Sequence, residues 1–338
     1  MTDITFEGAL TAVEAGPLPR GLVEAVFSAV LAGAWTEAQI AGFLIALRQH
    51  PITHAMLTEA ARALRAAMVE VPHQHPKVLD TCGTGGDGQA TLNLSTGAAI
   101  IAAAHGVVVA KHGNRAVSSR SGSADVLEAL GVPFPESAEH AAEQLSELGL
   151  AFLMAPVHHP AMRFVAPVRR ALGVRTLFNC LGPLANPARA THQLLGAYSE
   201  ELLPTLAAAL QELQVERAWV VRSADGLDEL SPFTTTHVCE LDRGEVRRLE
   251  VHPSDFGLPE SAPGALVGGD AQFNAAALRA VLSGEPHPAR TGFLLNAAAA
   301  LVVAEELSPP EAARRAAELV DTGAALALLE RWRDAGAT

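Results

Sequence analysis

Two polar stretches carry the residue types that hold phosphate. The first runs Gly83-Thr84-Gly85-Gly86-Asp87-Gly88 and continues through Thr91 to Asn93, Leu94, Ser95 and Thr96; the second is Lys111-His112-Gly113-Asn114-Arg115. Glycines let the backbone turn its N–H groups toward an anion and approach it closely, and the Ser95 and Thr96 hydroxyls and the Lys111 ammonium add donors. Two such stretches suit a ligand with two separate phosphate groups. The first is not a Walker A loop, because the Gly-Lys-Ser/Thr ending is absent. Lys111 stands out by composition: Lys77 is the only other lysine, and every other cation is arginine. A compact ammonium directly after an apolar run acts as a point charge for phosphate.

Three further clusters have chemistry. Asp225-Gly226-Leu227-Asp228-Glu229 follows the apolar run Ala218 to Val221, so its carboxylates fall at a strand's end, and hard oxygens of this kind suit Mg²⁺ bridging to substrate phosphates. Ser118-Ser119-Arg120-Ser121-Gly122-Ser123 is too polar for a core and reads either as a lid over phosphate or as a plain serine-rich loop. Arg169 and Arg170 lie in a helix-like stretch, where one arginine could grip a carboxylate in bidentate fashion or simply be solvated. His158 and His159, being adjacent, point in different directions and no third ligand has suitable spacing, so they are expected to form the wall of a cleft rather than a metal site, whereas His73 and His75 are expected to face solvent. Cys82, Cys180 and Cys239 have no metal-ligand or disulfide spacing and read as packed thiols.

These residues need elements to place them. A chain of 338 residues exceeds what one core usually supports, and 49% hydrophobic with 18% charged residues is a globular profile. Residues 1–71 read as helices only: Leu22, Val26 and Val30 form one apolar face, Thr36 to Gln39 has capping-box form, and Met56, Ala60, Leu64 and Met68 form another face. Val71-Pro72-His73-Gln74-His75-Pro76 is the expected linker. Beyond it, short apolar runs (Val78-Leu79, Val107 to Ala110, Ala151 to Met154, Leu194 to Tyr198, Ala218 to Val221, Thr236 to Leu241) alternate with helical patterns, with a hairpin turn at Asp242-Arg243-Gly244. That is the pattern of an α/β domain with a mainly parallel sheet. The segment 163–187, punctuated by Pro167, Gly173, Gly182, Pro183 and Pro187, is expected between domains, where clefts form, with part of it packed on the helical domain. The expected division is therefore 1–71 for a small helical domain, and 72–162 with 188–338 for a larger α/β domain.

Net charge is −13, which disfavours nucleic acid and anionic membranes as partners. With no apolar run of signal-peptide or membrane-spanning length, the expected location is the cytoplasm.

In order along the chain, Gly83 to Asp87, Asn93-x-Ser95-Thr96, Lys111 to Arg115, Ser121-Gly122-Ser123, Phe178-Asn179-x-x-Gly182-Pro183 and Asp228-Glu229 resemble the anthranilate phosphoribosyltransferases. The likeness spans about Leu22 to Leu329 and is most specific from Asp80 to Pro187. Pyrimidine nucleoside phosphorylases, which share the fold, are expected to carry Lys-His-Ser where this chain has Lys111-His112-Gly113-Asn114. The resemblance implies transfer of a phosphoribosyl group from 5-phosphoribosyl 1-pyrophosphate to anthranilate in tryptophan biosynthesis. It implies a helical domain hinged to an α/β domain, a homodimer, and Mg²⁺, two ions per subunit. Carried over residue by residue, Gly83, Gly86, Asp87, Thr91, Asn93, Leu94, Ser95, Thr96, Lys111, His112, Gly113, Asn114, Arg115, Ala116, Val117, Ser118, Ser119 and Ser123 would hold the phosphoribosyl donor. Gly83, Asn114 and Arg169 would contact anthranilate; Ser95, Asp228 and Glu229 would bind Mg²⁺; Lys111 and Arg169 would be catalytic. Two rival readings are nucleoside phosphorolysis and a catalytically silent, nucleic-acid-binding member of the fold; the Asn114 position speaks against the first and the acidic charge against the second.

Overall fold

Thr5, Thr36 and Thr53 each accept a hydrogen bond from a first-turn amide and so start helices; Thr36 and Gln39 form the reciprocal capping box expected from the sequence. The structure, a computed structural model, describes residues 4–116 and 120–335. Its first part is four helices: α1 (Phe6–Glu14), α2 (Leu22–Leu31), α3 (Glu37–Leu47) and α4 (His54–Ala66).

Strands and helices then alternate: β1 (Leu79–Gly83), α5 (Leu94–Ala104), β2 (Val109–Gly113), α6 (Ser123–Ala129), α7 (Ala138–Leu148), β3 (Leu150–Met154), α8 (Ala155–His158), α9 (Ala166–Leu172), β4 (His192–Gly196), α10 (Leu203–Glu212) and β5 (Arg217–Ser223). A hairpin of β6 (Thr236–Asp242) and β7 (Glu245–Val251) follows, then α11 (Ala271–Leu282), α12 (Arg290–Glu305), α13 (Pro309–Asp321) and α14 (Ala324–Asp334). The hairpin turns at Arg243 and Gly244, both at positive φ, as the Asp-Arg-Gly signal predicts.

One seven-stranded sheet runs in the order β3-β2-β1-β4-β5-β6-β7, parallel from β3 to β5 and antiparallel from β5 to β7. Pairing spans five residues in β2–β3, β1–β4 and β4–β5, but β1 meets β2 at the single pair Leu79 opposite Val109. β2 continues past the apolar run that predicts it, through Lys111 to Gly113, because backbone pairing with β3 holds it there regardless of side-chain polarity.

Two large cores flank the sheet. On one side α5 and α12 are mostly apolar and buried, with α6, α11, α13 and α14 outside them. Small side chains permit close contact: a Cβ on Gly97 would come within 2.4 Å of Phe293. The other core joins α1 to α4 with α9, α10 and residues of the 161–185 segment.

The linker departs from expectation. Val71 N donates to Pro187 O at 3.0 Å, and the His73 ring Nε2 lies 2.7 Å from Ala188 O and stacks on His75, so both histidines are half-buried rather than solvent-facing. Backbone carbonyls of 187–188, distant in sequence, give the linker a docked course that its prolines do not disclose. Among the described residues no single helix is long and apolar enough to cross a membrane.

Candidate active site

The glycine loop leaves the carboxyl end of β1, beside the point where strand order reverses from β2-β1 to β1-β4, the usual place for a ligand crevice in such sheets. Gly85, Gly86 and Gly88 all have positive φ, the left-handed backbone glycine tolerates. Thr84 anchors the start of the loop: its N–H donates to Gly196 O, and its hydroxyl accepts from Tyr198 N. Arg175 reaches in from the segment after α9, donates to Gly86 O and lays its guanidinium over the Tyr198 ring. Asp87 Oδ1 accepts from Gln89 N, and Thr91 forms a bridge with Val267. Asn93, N-cap of α5, has its side chain held by Asn274 Nδ2 at 2.9 Å rather than capping the helix. Leu94 and Thr96 are fully buried, and Thr96 Oγ1 has no hydrogen-bond partner among the described residues.

Lys111 is only 2% exposed although charged. Its Nζ donates to Thr81 O and to Ser95 Oγ, which carries the ammonium from β2 across to the first turn of α5. Asp80, wholly buried on β1, faces the same region: Oδ1 accepts from His112 N at 3.1 Å, and Oδ2 accepts from Asn186 Nδ2 at 2.7 Å and from Cys82 Sγ at 3.1 Å. Burial raises the Asp80 pKa and lowers that of Lys111, each charge opposing the other's shift.

The acidic loop after β5 stands across from these donors. Gly196 allows it to approach, since a Cβ there would lie 1.6 Å from Asp228 O. Asn296 on α12 holds the loop from behind, accepting from Leu230 N and donating to Leu230 O. Glu229 Oε1 accepts from Ser95 N at 2.8 Å, and Asp228 lies against Asp87. Burial, then the Asp87 charge, pushes Asp228 up to about 7; burial, then Asp228, pushes Glu229 up to about 8.

Lys111 and Arg222 offset only part of the mutual repulsion of Asp87, Asp228 and Glu229, and this half-buried oxygen donor set fits Mg²⁺. No group of three or more His, Cys, Asp or Glu side chains forms a closed cage among the described residues. Mg²⁺ held by one or two carboxylates, with water and substrate phosphates completing the shell, needs none.

Beyond β2, Gly113 and Asn114 lead into a segment pinned by α6. Ala116 N and Gly122 N both donate to Asp125 Oδ2, and Ser123 Oγ and Ala124 N donate to Asn114 O. Gly122 is needed there, because a Cβ would come within 2.5 Å of Ala116 N. Arg115 makes a two-pronged pair with Glu128 and a further contact with Asp125. Val117, Ser118 and Ser119 lie outside the described residues.

Arg169, on α9, is half-buried with its guanidinium 5.9 Å from the Phe178 ring centroid. Burial lowers its pKa, and no carboxylate among the described residues pairs with it. An unpaired, partly desolvated guanidinium is suited to a carboxylate ligand. His158 and His159 are buried, as wall residues would be; His159 lies 5.0 Å from the His112 ring, and burial plus neighbouring imidazoles hold His112 at about 3 and His159 at about 4, both neutral.

The sequence reading did not single out Asp80, Asn186, Asn274, Asn296 or Asp125. Each is a lone polar residue whose partner lies far away in the chain or on a backbone group, so no spacing betrays it; only Asp125, three residues after Gly122, has a local signature.

Comparison with known proteins agrees with this architecture. The family model described as "Glycosyl transferase family, a/b domain" matches residues 75–326, and the helical bundle domain of the same family matches 11–68. An anthranilate phosphoribosyltransferase of Brevibacillus brevis is 48% identical over 94% of this chain and 93% of its own, and one of Novosphingobium aromaticivorans is 47% identical over 94% and 96%. Among solved structures, the Thermus thermophilus anthranilate phosphoribosyltransferase superposes with TM-score 0.90 at 41% identity, covering 97% of this chain and 98% of its own. The Saccharomyces cerevisiae enzyme in complex with PRPP and Mg gives 0.89 at 29% identity, covering 98% and 97%. With fold, both domain models and near-complete relatives in accord, the chain belongs to the anthranilate phosphoribosyltransferase family.

Proposed function

We propose that this protein transfers the 5-phosphoribosyl group of 5-phosphoribosyl 1-pyrophosphate to the amine of anthranilate, releasing pyrophosphate, in tryptophan biosynthesis. The observation that carries the reading is the buried Lys111 ammonium, bound to Thr81 O and Ser95 Oγ, set opposite the half-buried Asp228 and Glu229 beside a glycine loop. Supporting it, relatives of this chain have been solved with PRPP and Mg and with 4-fluoroanthranilate.

In this reading the loop from Gly83 to Thr96 and the segment from Lys111 to Ser123 hold the donor's two phosphate groups. The C1–O bond breaks with its electron pair leaving on pyrophosphate, and Lys111 neutralises charge as it develops there. The amine lone pair forms the C1–N bond and its proton passes to solvent. An aromatic amine is neutral at pH 7, so no strong base need precede attack, in keeping with neutral His112 and His159. Arg169 receives the anthranilate carboxylate while Gly83 and Asn114 also contact anthranilate, a positioning contribution that can be large. Mg²⁺, held by Ser95, Asp228 and Glu229, supplies charge neutralisation on the pyrophosphate oxygens when bound. We infer two such ions per subunit, a cytoplasmic homodimer, and domains divided at 1–71 against 72–162 with 188–338.

Mixing the protein with phosphoribosyl pyrophosphate, anthranilate and Mg²⁺ should release pyrophosphate and quench anthranilate fluorescence, and EDTA should abolish both. Absence of turnover with the donor still bound would move the acceptor assignment; absence of donor binding would end the reading.

A further inference from the structure

We infer that Asp80 and Asn186 are positioning residues that hold β1 and β2 apart and so set the separation of the two phosphate loops. The ground is a gap in the sheet. β1 and β2 pair only at Leu79 and Val109, although both strands run on to Gly83 and Gly113 and pair fully with their outer neighbours. Continued in the parallel pattern, the ladder would join Thr81 N to Ala110 O and His112 N to Thr81 O.

Side chains occupy these positions instead. Ala110 O accepts from Asn186 Nδ2 at 2.8 Å, His112 N donates to Asp80 Oδ1 at 3.1 Å, and Thr81 O accepts from Lys111 Nζ. Asn186 Nδ2 also donates to Asp80 Oδ2, joining the two into one wedge, and Asn186 Oδ1 accepts from Ala188 N, which ties the wedge to the chain entering β4. Asp80 and Asn186 are buried, and Asn186, which carries no charge, acts through the strands alone, whereas Asp80 also acts through its charge on Lys111. A closed ladder would bring the glycine loop and the Lys111–Asn114 segment to ordinary strand spacing, about 4.8 Å, and remove the carbonyl that orients Lys111.

This inference rests on the reading that the two loops share one phosphoribosyl donor. Its test compares wild type with Asp80→Asn and Asn186→Ala, reading steady-state constants for both substrates and deuterium exchange at the His112 amide. We expect kcat/KM for the phosphoribosyl donor to fall by about 100-fold, as misplacement of reacting groups does, with KM for anthranilate nearly unchanged. The His112 amide should exchange faster in Asp80→Asn while amides of α12 keep wild-type rates. The double variant should be no worse than the more severe single, since both residues form one device. Folded variants with wild-type donor constants would overturn the inference, as would equal losses for both substrates with exchange accelerated throughout, which marks general destabilisation. Should Asp80→Asn fail to fold, Asn186→Ala carries the same kinetic readout. Failure of wild type to bind the donor would refute the functional reading, while exchange at His112 would still report whether the wedge holds the strands.

Discussion

Asp228 and Glu229 are half-buried beside Asp87, and their mutual repulsion makes a cation there worth more than at the surface. Replacing them together, Asp228→Asn with Glu229→Gln, should lower kcat by about 100- to 1,000-fold and flatten the dependence of rate on Mg²⁺. Unchanged rate and metal dependence would show that the cation binds elsewhere. Arg169 has the complementary situation, a charge partly removed from water with no acid beside it. Arg169→Ala should cost about 1.5–3 kcal/mol of binding, seen as a rise in KM for anthranilate with KM for the phosphoribosyl donor preserved. A change confined to the donor would assign Arg169 to phosphate instead.

At the scale of elements, the site depends on tight approaches between loops that belong to different strands. Asn296 satisfies both backbone groups of Leu230 from α12, and its truncation leaves them buried without partners. Asn296→Ala should therefore destabilise the protein by about 2–3 kcal/mol and weaken Mg²⁺ binding, measured by thermal unfolding with and without the metal. Loss of stability without loss of metal affinity would show that the acidic loop keeps its shape unaided. Sequence disclosed those elements whose signals are local. The Thr36–Gln39 box, the Arg243-Gly244 turn and the glycine runs each state their conformation within a few residues. Asn186 and Asn296 do not, because their meaning lies in contacts 106 and 66 residues away. The course of β2 through Lys111 was hidden for a related reason: its support comes from β3, not from its own apolar residues.

For the whole molecule, buried ionisable groups set how stability varies with acidity. His112, His159 and His192, held at about 3, 4 and 4, stay neutral in the folded chain but take up protons once unfolded below about pH 6.5, so they lower stability as pH falls from there. Asp228 and Glu229, raised to about 7 and 8, have the opposite sign: the folded state binds their protons first, so stability rises as pH falls from above 8. The metal-free protein should consequently unfold at its highest temperature near pH 6.5, and saturating Mg²⁺ should flatten the alkaline limb alone. A melting temperature that climbs steadily to pH 8.5 in EDTA would contradict this. The three cysteines give a last consequence. All are free and buried, Cys82 on β1, Cys180 in the segment before β4 and Cys239 on β6, so a thiol reagent reaches each only when its own neighbourhood opens. The chain thus carries three built-in clocks, and the order in which pulsed alkylation marks them would time the loosening of the phosphate strand, the segment before β4 and the hairpin strand β6 without adding a single probe.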